Sequence, residues 1–357
     1  MPDESELAQT GSKKRGRFFR WLKRGLIGLV IAVILLLAAG FVYQRIADHY
    51  DAQKLPHQGQ LVDAGGHLQY VHCTGQGSPT VILENGGGVV SYTWEPVQTE
   101  VAKFAKVCSY DRAGYGLSES GPQPRTARQI AVELHTLLHN ADISGPYVLV
   151  GHSIGGLYIR MFTELYPDEV AGLVFVDSSS EDQNDRMPAE MKPIVEKQKK
   201  LLSLLGIGSN IGVVRLFTWL SPQKPPEWAN AMPDAFRAQT LHSRMRAPVE
   251  SAVSELSAFE ESGQQVRGCR PLGDRPVIVL TEGKPVEASD GPPGVPLELI
   301  QQYMKTWREE LQPALARLST RGEQRILARS SHMIPMEEPA AVVTAIRDVI
   351  DRTQVSR

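Results

Sequence analysis

The hydrophobic pattern changes character along the chain, and each change predicts a different kind of structure. Between Arg24 and Arg45 lie twenty residues without a formal charge, GLIGLVIAVILLLAAGFVYQ. After a mixed stretch at 45–60, short apolar runs alternate with longer segments whose apolar residues return every three or four positions. The runs HLQYVHC, TVILEN, KVCSYD, PYVLVG and GLVFVD predict strands, and most lack the polar alternation of a half-exposed sheet. Segments 93–105, 126–141 and 154–167 predict helices, the second placing Ile130, Leu134, Leu137 and Leu138 on one face. From Ser178 to about Arg270 the pattern is helical alone, broken at the proline-rich joints SPQKPPEW and AMPDAF. Strand and helix then alternate again: RPVIVL, 301–318, EQRILA and 338–350.

This order predicts an α/β class, with a mostly parallel central sheet covered by helices on both faces. The core comprises 61–177 and 271–357. The helical block at 178–270 forms a cap inserted before the late strands, over the C-terminal sheet edge where open α/β sheets hold their sites.

Charge changes the picture at one end only. The chain of 357 residues carries a net charge of −2, without the basic excess of a nucleic-acid binder. Seven Lys or Arg crowd residues 13–24, directly before the uncharged run. As a helix that run spans about 30 Å, the thickness of a bilayer core. A cleaved signal peptide is the competitor, since Ala38, Ala39 and Gly40 offer small residues, but the apolar region is longer than such signals use. The expectation is therefore a basic cytoplasmic tail at 1–24 and an uncleaved transmembrane signal-anchor helix at 25–44. A polar linker follows at 45–60, a flexible coil reaching about 25 Å. The protein then contacts the membrane through 25–44, single-pass, with the remainder extracytoplasmic. Cys73, Cys108 and Cys269 have no metal-ligand spacing, and no metal or other cofactor is expected. Cys108 reads as a small core hydrophobe, although an outside location permits one disulfide.

Candidate chemistry centres on Gly151-His152-Ser153-Ile154-Gly155, a G-x-S-x-G between an apolar strand and a helix. In that context the sharp turn exposes a serine hydroxyl, and the helix N-terminus behind it favours developing negative charge. A plain serine N-cap at a βα turn is the bland alternative. Taken in order, ENGGG (84–88), DRAGYGLS (111–118), GHSIGG (151–156), LVFVD (173–177) and SSHMIPMEEP (330–339) resemble the α/β-hydrolase superfamily across residues 61–352. The resemblance implies a Ser-His-acid triad with Ser153 as nucleophile and His332 as general base. The usual slot for the acid, TEGKP, has Lys284 at its nearest equivalent, between Glu282 and Glu287. Some members take the acid from the preceding strand, here Asp177, which is favoured over Glu282, with Asp182 third. Gly87 and Ile154 would supply the oxyanion-hole amides, while Asn85, in place of a more usual His, changes the lining. Asp111 and Arg112 read as bracing residues, and His152 as packing. The apolar segment 211–220 reads first as internal packing, second as an acyl-binding or membrane-facing lid.

These features imply a serine hydrolase cleaving a small-molecule or lipid-like ester through an acyl-enzyme. The same triad would serve an amidase, peptidase or acyltransferase, and a non-catalytic binding domain is the alternative of another class. Relatives that cleave halides or epoxides carry aspartate at the elbow and fit less well.

Overall fold

The computed structural model describes residues 4–55, 57–221, 246–287 and 293–354. The proline-rich joints of the cap at 221–228 and 231–236 lie almost wholly outside these residues.

Eight strands form one sheet: β1 (Gln60–Asp63), β2 (Leu68–Thr74), β3 (Thr80–Glu84), β4 (Val107–Tyr110), β5 (Tyr147–His152), β6 (Val170–Val176), β7 (Gly273–Glu282) and β8 (Ser319–Leu327). Their order is β1-β2-β4-β3-β5-β6-β7-β8. Pairing is antiparallel at β1–β2 and β2–β4 and parallel from β4 to β8. Every residue of β3, β4 and β5 is buried, which explains their unbroken apolar runs. The short edge strand β1 has no such run and escapes sequence reading.

Helices cover both faces. On one lie α3 (Ala127–Asn140) and α4 (Gly155–Leu165), joined by Ile130, Leu134, Leu157 and Phe162 into a core with Leu149 and Phe175. Thr126 caps α3 by accepting the Gln129 amide at 3.3 Å. On the other face α2 (Glu95–Val101), the Ser91–Trp94 turn before it and α12 (Pro339–Gln354) pack Trp94, Val97, Ile346 and Val349 against Val81, Val150 and Val174. Each such fully buried side chain contributes about 1.5–3 kcal/mol relative to exposure.

Between β6 and β7 the described elements are helical: α5 (Lys192–Ser209), α6 (Val213–Leu220), α7 (Arg246–Ser257) and α8 (Phe259–Arg267). After β7 the segment read as one helix is α9 (Leu297–Thr306), a π turn over Trp307–Leu311 and α10 (Gln312–Ala316). The short α11 (Ile334–Glu337) precedes α12.

Three expectations need correction. The segment at 45–60 is not a coil throughout, because α1 runs unbroken from Glu4 to Ala52. Its late turns are held by Arg215 of α6, which donates to Asp51 at 2.7 Å and to Asp48 at 3.2 Å. Cys108 is not a free core thiol but is joined to Cys73 in a disulfide. The antiparallel register sets the two residues directly opposite, a juxtaposition that no local pattern encodes. Finally, α6 does not bury its apolar residues: Leu216, Phe217, Trp219 and Leu220 are all exposed.

Candidate active site

Ser153 sits at the β5–α4 turn with φ of 54°, in the left-handed region that costs a non-glycine residue about 1–3 kcal/mol. Its amide donates to the Val176 carbonyl at 3.2 Å, while its carbonyl accepts from Gly156 at 3.0 Å and Ser179 at 2.8 Å. The flanking glycines are required sterically. A Cβ on Gly151 would stand 2.8 Å from the Gly155 carbonyl oxygen, and one on Gly155 would stand 2.7 Å from that of Asn85. The turn therefore exposes a serine in a strained but pinned conformation.

Asp177 follows β6 immediately, so the Ser153–Val176 hydrogen bond also fixes the acid relative to the serine. Its carboxylate is fully buried, and Oδ2 lies 2.6 Å from Nδ1 of His332. Oδ1 accepts from the Glu282 amide at 3.0 Å and from Trp307 Nε1 at 2.9 Å. The TEGKP slot thus faces the site with a backbone N–H, and the Glu282 side chain acts on His332 through its charge. Two donations from Arg308, at 2.9 Å to the Glu282 carbonyl and 2.7 Å to that of Lys284, secure that loop. Asp182 is elsewhere, paired with Arg267 at 2.9 Å.

His332 lies on the loop after β8. Ser331 holds this loop to Glu337, and Ser330 holds it to Glu338 at 2.8 Å. Burial works to lower the His332 pKa, but the hydrogen bond and charge of Asp177, joined by the charge of Glu282, outweigh it and leave the imidazole above its ordinary value. His152 does more than pack. Its Nε2–H donates to the His332 carbonyl at 2.8 Å, and the two rings stand 4.8 Å apart. Burial and the neighbouring His332 push its pKa down to about 3, so it is a neutral brace near pH 7. No hydrogen bond joins Ser153 to His332 among the described residues; in unliganded enzymes this contact commonly tightens only on binding.

Gly87 and Ile154 border the serine. A Cβ on Gly87 would lie 3.6 Å from Ile154 Cγ2, and one on the preceding Gly86 would lie 3.2 Å from Ser153 Cβ. Ile154 caps α4, where the first amides have no acceptor within the helix. Asn85 does not change the cavity lining, since it is buried and held by Tyr110 and Thr93 at 3.1 and 3.0 Å.

Beneath the glycine loop lies a charged network that sequence reading found only in part. Arg112, 1% exposed, donates to Glu84 at 2.6 Å, to Glu255 of α7 at 2.8 Å, and to the carbonyls of Asn85 and Gly86 at 2.7 and 2.8 Å. It therefore ties the glycine loop to the cap. Burial raises the Glu84 pKa even though the Arg112 charge and the Tyr110 hydroxyl oppose it. Asp111 braces the same region by accepting from the Ser91 amide at 2.8 Å and the Leu117 amide at 3.2 Å. Glu255 and Trp307 were not legible because their partners lie 143 and 130 residues away.

A cavity of about 590 Å³ opens above Ser153, Ile154 and Gly87. Its far wall is apolar and comes from the cap, including Leu202, Val249, Val253 and Phe259. Among the described residues, no cluster of His, Cys, Asp and Glu could hold a metal ion.

This fold, with a strained serine turn at the sheet's C-terminal edge, defines a class that comparison with known proteins identifies. The model of the Alpha/beta hydrolase family matches residues 81–345, and the chain belongs to that family. An AB hydrolase superfamily protein of Gibberella zeae is 23% identical over 292 residues, 76% of this chain and 86% of that one. The chain spans only 20% to 49% of the length of several other curated relatives it matches. Two solved structures share the fold. The epoxide hydrolase CorEH has a TM-score of 0.59 at 16% identity, covering 82% of this chain and 98% of its own. A serine hydrolase involved in carbazole degradation, the CarC enzyme, has a TM-score of 0.51 at 17% identity, covering 82% and 98%.

Proposed function

We propose that the protein is a serine hydrolase that cleaves an ester, with Ser153 as nucleophile, His332 as general base and Asp177 as the orienting acid. The observation that carries the reading is the 2.6 Å contact of His332 Nδ1 with buried Asp177, beside an elbow that strains Ser153 to φ 54°. In this mechanism His332 Nε2 takes the proton as Ser153 Oγ attacks the ester carbonyl. The amides of Gly87 and Ile154 stabilise the oxyanion, and the alcohol leaves with the proton from His332. Water activated by His332 then releases the acid from the acyl-enzyme. A serine at the elbow favours this course over epoxide opening, for which the family uses aspartate there. The apolar cavity wall favours an acyl group over a charged peptide.

The same proposal includes an uncleaved anchor. Residues 25–44 lie in α1, a helix long and apolar enough to cross a membrane, and the basic cluster before them favours a cytoplasmic N-terminus. The Cys73–Cys108 disulfide supports an oxidising compartment for the sheet domain.

Fluorophosphonate labelling with a panel of p-nitrophenyl esters and aminoacyl amides tests the chemistry. The wild type should label and prefer esters. Ser153→Ala should lose labelling and on the order of 10⁶ in turnover while keeping its thermal midpoint. More than a few per cent residual activity in the pure variant would exclude Ser153 as the nucleophile.

A further inference from the structure

The cap carries apolar surface on its outer side as well as toward the cavity. In the second half of α5, Leu201, Leu204 and Ile207 are 57%, 64% and 69% exposed; in α6, Phe217, Trp219 and Leu220 are 64%, 70% and 65% exposed. Soluble monomers rarely gather so many large apolar side chains on adjoining helices in water. The two helices meet at a sharp corner, 103° apart.

The position of that corner indicates what covers it. A Cβ on Gly40 of α1 would stand 2.5 Å from the Ile211 carbonyl oxygen, so the corner abuts the helix backbone there. Gly40 lies about 6 Å along the helix from the end of the uncharged run at Gln44. Helices that lie in a membrane interface sink to a similar depth, about 5–10 Å. The polar contacts lie farther along α1, where Arg215 pairs with Asp48 and Asp51. The sequence of α5 changes at the same boundary. Lys197 and Lys200 give way to LLSLLGIG, and long lysine stems can reach back from an apolar level to the headgroups.

We propose that the corner of α5 and α6 is a second membrane contact, seated in the bilayer leaflet where α1 emerges, and that it passes a long-chain acyl ester from that leaflet into the cavity over Ser153. Leu202 links the two environments, since it lines the cavity and is 44% exposed. Val195 and Lys199 line the cavity from the same helix, so α5 forms the wall between lipid and site. The substrate part of this proposal rests on the serine-hydrolase reading; the membrane contact does not.

The test uses the full chain in phosphatidylcholine liposomes. A polarity-sensitive dye on Phe217→Cys, in a Cys269→Ser background, should be blue-shifted and quenched by nitroxide-labelled lipid. The same dye on Asp274→Cys, at the start of β7, should be neither. Separately, Leu216, Phe217, Trp219 and Leu220 are changed together to Gln, with the thermal midpoint as a check on folding. Hydrolysis of a bilayer-dissolved long-chain ester should fall on the order of tenfold or more, because each apolar side chain withdrawn from lipid costs at least that factor. Cleavage of soluble p-nitrophenyl acetate should be retained. An unquenched dye at position 217 would overturn the membrane contact, and equal loss on both esters would overturn the passage. If the unmodified protein cleaves neither ester, the hydrolase reading falls and the passage with it, while the quenching result still decides the membrane contact.

Discussion

His332 is pulled in two directions, and the balance sets when the proposed base can work. It must be neutral to accept the serine proton, and its pKa lies above the ordinary histidine value because Asp177 outweighs burial. The acidic limb of kcat/KM should therefore fall above pH ~6.5, with activity lost as pH drops through it. Replacing Asp177 by Asn removes the carboxylate that raises the pKa and leaves burial to lower it. The limb should then move to lower pH while turnover drops roughly 10⁴-fold. A pH–rate profile of the two proteins checks both effects, and a limb that stays fixed in the variant would remove Asp177 from its role. Glu282→Gln should keep turnover, because Glu282 meets Asp177 through its backbone amide, and should move the limb to lower pH by less than Asp177→Asn does, because the Glu282 charge also helps to raise the His332 pKa. The elbow was legible in the sequence because its glycines, serine and flanking elements are contiguous. The acid was not legible from local pattern, because the two carboxylate candidates differ in what they reach, not in the residues beside them.

Between elements, the main tie is Arg112, which joins β3, the glycine loop and α7. Arg112→Met would leave Glu84 and Glu255 facing each other without a cation. Losing one partner of a buried ionic group costs about 3–5 kcal/mol. The variant should show that loss in denaturant unfolding, and a change below 1 kcal/mol would mean that the network is not held as described. The strands and main helices of the core were readable because full burial leaves unbroken apolar runs and helical faces leave a three-to-four spacing. The sequence misled where exposure and periodicity part company. The segment 211–220 has the composition of a packed helix, yet α6 shows its apolar side chains to the exterior. The π turn at Trp307 was equally hidden, since nothing in WREEL distinguishes it from ordinary helix.

For the whole molecule, the disulfide and the anchor bear on the same question of compartment. Cys73 and Cys108 close a loop with a sequence separation of 35, for which chain entropy gives roughly 3–4 kcal/mol of stabilisation. Changing both to Ser, or adding reductant, should lower the thermal midpoint by several degrees; an unchanged midpoint would mean that the pair is reduced in the native protein. Alkaline phosphatase fused after Arg357 should be active, and a reporter that works only in the cytoplasm should be dark there. A soluble mature chain starting near Phe41 would instead identify a cleaved signal. The expected coil between membrane and domain is half replaced by helix, as α1 continues to Ala52 and is clamped by Arg215. Anchored as proposed, a domain on such a rod cannot wander through a hemisphere of solution; it works at one height above a plane. The proposed catalysis then becomes two-dimensional. Its rate follows the mole fraction of ester in the lipid sheet rather than molarity in the bulk, so diluting a fixed amount of ester with inert lipid slows an enzyme whose chemistry is untouched.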